Sequence, residues 1–206
     1  MSIRLEFSAF VLSDLKQQLE SKDAQLADET IQAFEEGAGE IDLDAKAVDE
    51  GRVRIKNLIA NGKKDSVETI AEVSAVNFLA ANSSQAIEDD CEAEWPWSDL
   101  NNMNVQFQNR FDARTKELFN YCVEGRTLIG DKFDSDAGFY LYLTNAEVAT
   151  LRAGLDKVHV VISEIVDSGA MNEQDFDGGL VDTLEAFMET LDAVSAEKLD
   201  LFAIAC

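Results

Sequence analysis

The residues best equipped for chemistry lie between Glu88 and Asp99. Glu88, Asp89, Asp90, Glu92 and Glu94 crowd together, and Trp95, Pro96 and Trp97 then lead to Asp99. Carboxylates beside aromatic faces can receive a basic or quaternary cation through charge and cation–π contact. The proline stiffens the tryptophan pair, which lowers the ordering cost of binding. Trp95, Trp97, Glu92, Glu94 and Asp99 are therefore the candidate binding residues. Two other readings stand beside this one. The tryptophans could lid the core while the carboxylates face water, because tryptophan usually buries most of its area. Alternatively, paired carboxylates in a cleft near residues 95–99 could be the acid and base of a hydrolase, a chemistry that needs no sequence motif.

Other constellations fall short of a site. His159 is the only histidine. Multi-histidine metal sites and relays are thereby excluded, and no G-x-S-x-G elbow supplies a nucleophile beside it. It lies between Leu155 and Ile162, at the edge of an apolar helical stripe, where a structural role suffices. Asp131, Asp134, Asp136 and Gly138 imitate a calcium loop. Counted from Asp134, however, Gly138 falls at the fifth position and Asn145 at the twelfth, where ligands are required. Glu173, Asp175, Asp177 and Gly178 fit the first half better, but Leu184 takes the twelfth position. Both segments read as acidic turns. The glycine-rich phosphate loops are absent, and neither cofactor nor metal is expected. Arg114 sits beside the stripe of Phe107 and Leu118, with Arg110 one turn earlier. It either pairs with a carboxylate or holds an anion in a pocket.

Charge narrows the class of partner. There are 41 Asp plus Glu against 17 Lys plus Arg, a net charge of −24 in 206 residues. Such a surface repels phosphates and anionic lipid, so neither nucleic acid nor a membrane is an expected partner. No Lys or Arg occurs between Lys64 and Arg110, nor between Lys157 and Lys198. Screening in a saline habitat would make these segments tolerable; a basic partner would do so as well. Cys91, Cys122 and Cys206 are odd in number and scattered, which fits a reducing compartment rather than a disulfide framework. Glu6 interrupts the first apolar run and no small-residue cleavage site follows, so no signal peptide is expected. No apolar run approaches the roughly 20 residues of a membrane helix. A cytoplasmic protein is the expectation.

The elements that must carry these residues follow from periodicity and capping. Ile3, Leu5, Phe7, Ala9 and Val11 alternate with polar residues, as in a strand with one face in the core. Ser13 can cap a short helix carrying Leu15 and Leu19. Asp23 can cap a second that ends near Gly37, leaving residues 38–43 as a loop. Asp44 opens a third, closed by Asn61 and Gly62. Ser66 opens a fourth that is apolar nearly all round and hence buried. Residues 84–104 read as irregular. A helix resumes near Asn104 with Phe107, Phe111, Leu118 and Cys122 in register, and residues 126–136 are irregular or a short helix.

The best-specified local structure begins at Phe139. An apolar strand to Leu143 meets Thr144, which forms a capping box with Glu147. Val148, Leu151, Leu155, Val158, Ile162, Ile165 and Val166 then recur at helical spacing, with a stop at Gly169. After an Asp- and Gly-rich turn over residues 172–179 comes an amphipathic helix. Leu180, Leu184, Phe187, Met188, Leu191 and Val194 line its inner side, and Asp182, Glu185, Glu189 and Asp192 its outer side. Residues 199–206 are short and nearly all apolar, a strand expected in mid-sheet beside the N-terminal one.

The opening MSIRLEFSAFVLSDLKQQL, the segment YLTNAEVATLRAGL and the closing strand together resemble the bacterial YfbM-like domains of unknown function. In that family a first strand leads into a short helix, and a segment of the YLS-PEEV type precedes a long helix. The likeness spans about a third of the chain, and residues 84–104 have no counterpart in it. It implies an α+β fold and no particular activity. The whole chain therefore reads as one α+β domain over residues 1–206. A small mixed sheet includes both terminal strands and is covered by roughly five to seven helices. The functional expectation is a non-catalytic interaction or neutralising domain with a basic protein as partner, as immunity proteins are to basic toxins, with the hydrolase as the alternative.

Overall fold

The computed structural model describes residues 3–84, 94–168 and 179–205. Glu88 to Asp90, Cys91, Glu92, Gly169, the acidic turn before Gly179 and Cys206 lie outside the described residues. In chain order, strand β1 (Arg4–Phe10) is followed by helices α1 (Leu12–Leu19), α2 (Ala24–Glu40) and α3 (Ala45–Asn61). Strand β2 (Val67–Glu68) leads to α4 (Ile70–Ser83), and strand β3 (Glu94–Pro96) to α5 (Trp97–Phe107) and α6 (Ala113–Glu124). Strands β4 (Lys132–Phe133) and β5 (Tyr140–Leu143) precede α7 (Asn145–Asp167), α8 (Gly179–Ala196) and β6 (Asp200–Ala205). The class is α+β. A four-stranded sheet has the order β3-β1-β6-β5, and β2 pairs with β4 in parallel.

Several elements form as their local chemistry dictates. The carboxylate of Asp23 accepts from the amides of Gln25 and Leu26, and that of Asp44 accepts from Ala47. Gly62 ends α3 at φ 62°, the left-handed conformation that glycine adopts without strain. The Thr144 amide donates to Glu147 at 3.0 Å, and the Glu147 amide donates to the Thr144 hydroxyl at 3.3 Å. That is the reciprocal capping box read from the spacing. Strand β6 lies between β1 and β5, and Leu201, Phe202 and Ala203 are buried in succession, as a mid-sheet position requires.

Elsewhere the structure corrects the sequence reading. Ser13 lies inside α1, whose N-cap is Val11 without a side-chain cap. Helix α2 runs past Gly37 to Glu40, and Ala38 is buried on it. Ser66 does not open a helix. Val67 and Glu68 form β2, and α4 starts behind Thr69, whose amide and hydroxyl both donate to Glu72. The helix expected from Asn104 to Cys122 is two helices. Asp112 accepts from the Thr115 amide at 2.8 Å and so restarts the ladder as an N-cap. Residues 94–104 are not irregular but form β3 and most of α5. With that expected helix divided into α5 and α6, eight helices stand among the described residues.

The chain divides into two compact units. Unit 1 comprises Met1–Ala9, Gln85–Gly125 and Leu141–Cys206; unit 2 comprises Phe10–Ser84 and Arg126–Tyr140. In unit 1 the core gathers on Phe187 of α8, whose ring meets Phe7, Trp95 and Phe119 edge-on at 5.9, 5.6 and 5.9 Å. Helices α6 and α7 cross closely at Gly154, where an added Cβ would lie 2.0 Å from the Thr115 hydroxyl. In unit 2, α2 and α3 form a hairpin against α4. Gly51 of α3 admits the Phe34 ring, since a Cβ there would meet it at 2.4 Å.

Candidate functional site

Strand β3 pairs antiparallel with β1, with Leu5 opposite Trp95 and Glu6 opposite Glu94. The alternation of side chains along a strand then sends Trp95 inward and Glu94 outward. Trp95 is 2% exposed and packs on Phe187, so its ring is a core side chain of unit 1. Glu94 is exposed and accepts from Arg4 at 2.9 Å. Trp97, the first residue of α5, is half-buried, and its indole N–H donates to the Val123 carbonyl at 2.9 Å. Asp99 lies in the first turn of α5 and accepts from the Ser98 hydroxyl at 3.2 Å. Glu92 lies outside the described residues. Of the five candidates, then, Trp97 and Asp99 share one helical turn, while Trp95 is turned into the core.

The remaining sequence candidates resolve into structural contacts. His159, one-quarter exposed, places Nε2 2.7 Å from Glu185 of α8. Arg114 is about half exposed and bridges Glu117 at 2.7 Å and Glu147 at 2.9 Å. Glu147 thus joins the cap of α7 to α6. Asp134 accepts from the Asp136 amide at 3.2 Å, a turn, and Gly138 takes φ 70°. Among the described residues, no group of three or more His, Cys, Asp or Glu is placed to hold a metal ion. Glu173, Asp175, Asp177 and Gly178 lie outside them. No helix among the described residues is long and apolar enough to cross a membrane.

Sequence reasoning missed the buried polar cluster of unit 2. Glu68 is 0% exposed. Its Oε1 accepts from the amides of Ile129 and Gly130, both at 2.8 Å, and its Oε2 from the Tyr140 hydroxyl at 2.6 Å. Tyr140 in turn accepts from the Leu128 amide at 2.8 Å. Gly130 is required there, because a Cβ would lie 2.9 Å from the Ser66 carbonyl oxygen. One turn on, Glu72 is engaged by Arg54 at 2.6 Å, and Arg54 also donates to the Val67 carbonyl at 2.8 Å. These oxygens face protein donors rather than solvent; those of Glu68 fasten residues 128–130 to β2, and those of Glu72 hold Thr69 and Arg54 at the start of α4. The Thr69–Glu72 spacing was the signal that could have located α4; nothing local marks Glu68.

The outward side of α2 is acidic. Helix α2 contains no lysine or arginine. Gln25, Glu29, Gln32 and Glu36 share one face at i,i+4 and i,i+3 spacing. Gln25 donates to Glu29 at 2.9 Å and Gln32 to Glu36 at 3.0 Å. Among the described residues of α2, only Glu35 meets a cation, Arg52 of α3. Asp28, Glu29 and Glu36 are exposed, with no cationic partner among the described residues. No protein-family model, curated protein or solved structure matches the chain.

Proposed function

We propose that this protein is a cytoplasmic, non-catalytic interaction domain of the neutralising kind, whose acidic surface receives a basic protein. The observation that carries the reading is the outer face of α2, which has no Lys or Arg of its own and where Asp28, Glu29 and Glu36 have no cationic partner among the described residues. Unrelieved carboxylates repel one another, and a basic partner removes that repulsion while gaining steered association. The carboxylates that are buried, Glu68 and Glu72, are engaged in holding the fold, which leaves the outer ones for recognition. The reducing compartment is supported by the odd, scattered cysteines.

The experiment is affinity capture from lysate of the source cells, with hydrogen exchange of the captured complex. The expected result is a basic protein whose binding protects α2 and falls at least tenfold with the triple variant Asp28→Asn, Glu29→Gln, Glu36→Gln, about the 1.4 kcal/mol of a tenfold change. Binding unaffected by the triple variant would overturn the reading.

A further inference from the structure

Residues 126–137 are attached to unit 2 differently from its helices. They run between Gly125, at φ 81° and ψ 170°, and Gly138, at φ 70°, conformations that other residues adopt only with strain. No residue from 124 to 136 is buried, and Leu128, Ile129 and Phe133 are half-buried. The buried side chains of unit 2 come from its helices instead, among them Phe34, Ile55, Leu58, Val76 and Leu79. What holds the segment is hydrogen bonding. The Leu128 amide donates to the Tyr140 hydroxyl, the Ile129 and Gly130 amides to Glu68 Oε1, and the Asp131 amide to the Ser66 carbonyl, each at 2.8 Å. The Asp134 amide donates to the Glu68 carbonyl at 2.8 Å. Strand β4, Lys132 and Phe133, is a short partner for β2.

We propose that residues 126–137 are a strap that opens and closes as one unit while the helices of unit 2 stay folded, with the Glu68 carboxylate as its latch. A region that buries little apolar surface opens at a lower free energy than the core beside it. The successive amides from Leu128 to Asp131 are all fastened, so none is released without its neighbours. Glu68 Oε1 is shared by two of them, and its Oε2 accepts from Tyr140, which ties their release together. The two glycines are the hinges, since a few residues at the ends of a moving segment must absorb its change in φ and ψ. Opening removes both amide donors from the buried Glu68 carboxylate and frees the Ser66 and Glu68 carbonyls. The open form thus presents a carboxylate and a strand edge that the closed form covers. A ligand for either binds in proportion to the open population, so the strap sets its affinity. The acidic face of α2 lies outside the strap, and the two proposals stand or fall separately.

Native-state hydrogen exchange tests this. In the wild type, the amides of Ile129, Gly130, Asp131 and Asp134 should share one opening constant. It should exceed that of the buried turns of α3 and α4 at least tenfold and depend less on denaturant, because less surface is exposed. Glu68→Gln keeps the shape of the side chain but turns a donor toward the Tyr140 hydroxyl, and should raise the shared constant at least tenfold. Phe34→Leu loosens the contact of α2 with α3 at Gly51, which the open and closed forms both contain. It should speed exchange inside α3 severalfold and leave the strap constant unchanged. Strap amides that exchange with the constant and denaturant dependence of α3 would overturn the proposal. So would constants that differ more than tenfold among the four amides, a shared constant indifferent to Glu68→Gln, or a strap accelerated by Phe34→Leu as much as α3 is.

Discussion

Tyr140 donates its phenolic hydrogen to Glu68 over 2.6 Å, and both side chains are wholly buried. The pair is 72 positions apart in the chain and fastens the 128–130 turn through the amides it satisfies. Removing one member strands the others, since a buried donor or acceptor without a partner costs about 1–3 kcal/mol. Tyr140→Phe should therefore destabilise by about 1–3 kcal/mol, and Glu68→Ala by more, because three donors lose their acceptor. Denaturant melts of a double-mutant cycle check this, with a coupling of about 0.5–3 kcal/mol expected.

Gly154 and Gly37 should respond in opposite ways to alanine. At Gly154 the new Cβ would lie 2.0 Å from the Thr115 hydroxyl, whereas at Gly37 nothing lies within 4 Å. Overpacking of this kind costs about 1–3 kcal/mol, and Thr115→Ala in the same chain should recover part of the loss. Gly37→Ala on the exposed side of α2 should stabilise by up to about 1 kcal/mol, the helix-propensity difference. Chemical denaturation of the variants gives both signs.

The two tryptophans should separate clearly. Trp95→Ala empties a site at the Phe187 cluster and should cost about 3–5 kcal/mol, the usual range for a buried aromatic. Trp97→Ala removes a half-buried ring and one hydrogen bond to the Val123 carbonyl, a smaller loss of about 1–2 kcal/mol. Acrylamide quenching of the single-tryptophan variants should find Trp97 the more accessible. Equal losses of stability would refute this division.

Cys122 is wholly buried, and burial pushes its thiol up to about 12. A neutral, enclosed thiol is a poor nucleophile, so labelling of this residue in the native protein should proceed at the rate of opening rather than at the rate of a free thiol. The sign of the pH effect follows. The folded thiol binds its proton more tightly than the unfolded one, so its contribution is complete below about 9 and is lost as pH rises toward about 12. Denaturant midpoints of wild type and Cys122→Ala should converge over that alkaline window.

At the acid end, Asp112 is the group to follow. The Thr115 amide, then its hydroxyl, hold the Asp112 carboxyl below its ordinary value. A depressed carboxyl contributes stability above its unfolded value, near 3.9, and loses it as pH falls through the lower folded value. Asp112→Ala should therefore lower the melting temperature at neutral pH, with the gap closing as pH drops below about 4. A gap that persists at the lowest pH would assign the cap's effect to something other than its charge.

What the sequence determined by itself was whatever depends on neighbours within a helical turn or along one strand. Asp23 and Asp44 as caps, the Thr144–Glu147 box, the Gly62 stop and the alternation of β1 all rest on contacts between residues close in the chain. The acidic outer face of α8 and the mid-sheet place of β6 were legible for the same reason, since periodicity and continuous apolarity report exposure. Tertiary structure decided the rest. Trp95 is buried because β3 pairs with β1, which brings Leu5 opposite it; three residues are too few to display a strand's period. Glu68 is buried because amides 61 and 62 positions away meet its carboxylate, and no local pattern announces a partner at that distance. The break at Asp112 was hidden because apolar spacing continued through it, while the cap that restarts the helix is an acidic residue like many others in this chain. Local spacing selects which elements form, but the free energy that chooses a side chain's surroundings comes from groups that only the fold brings together.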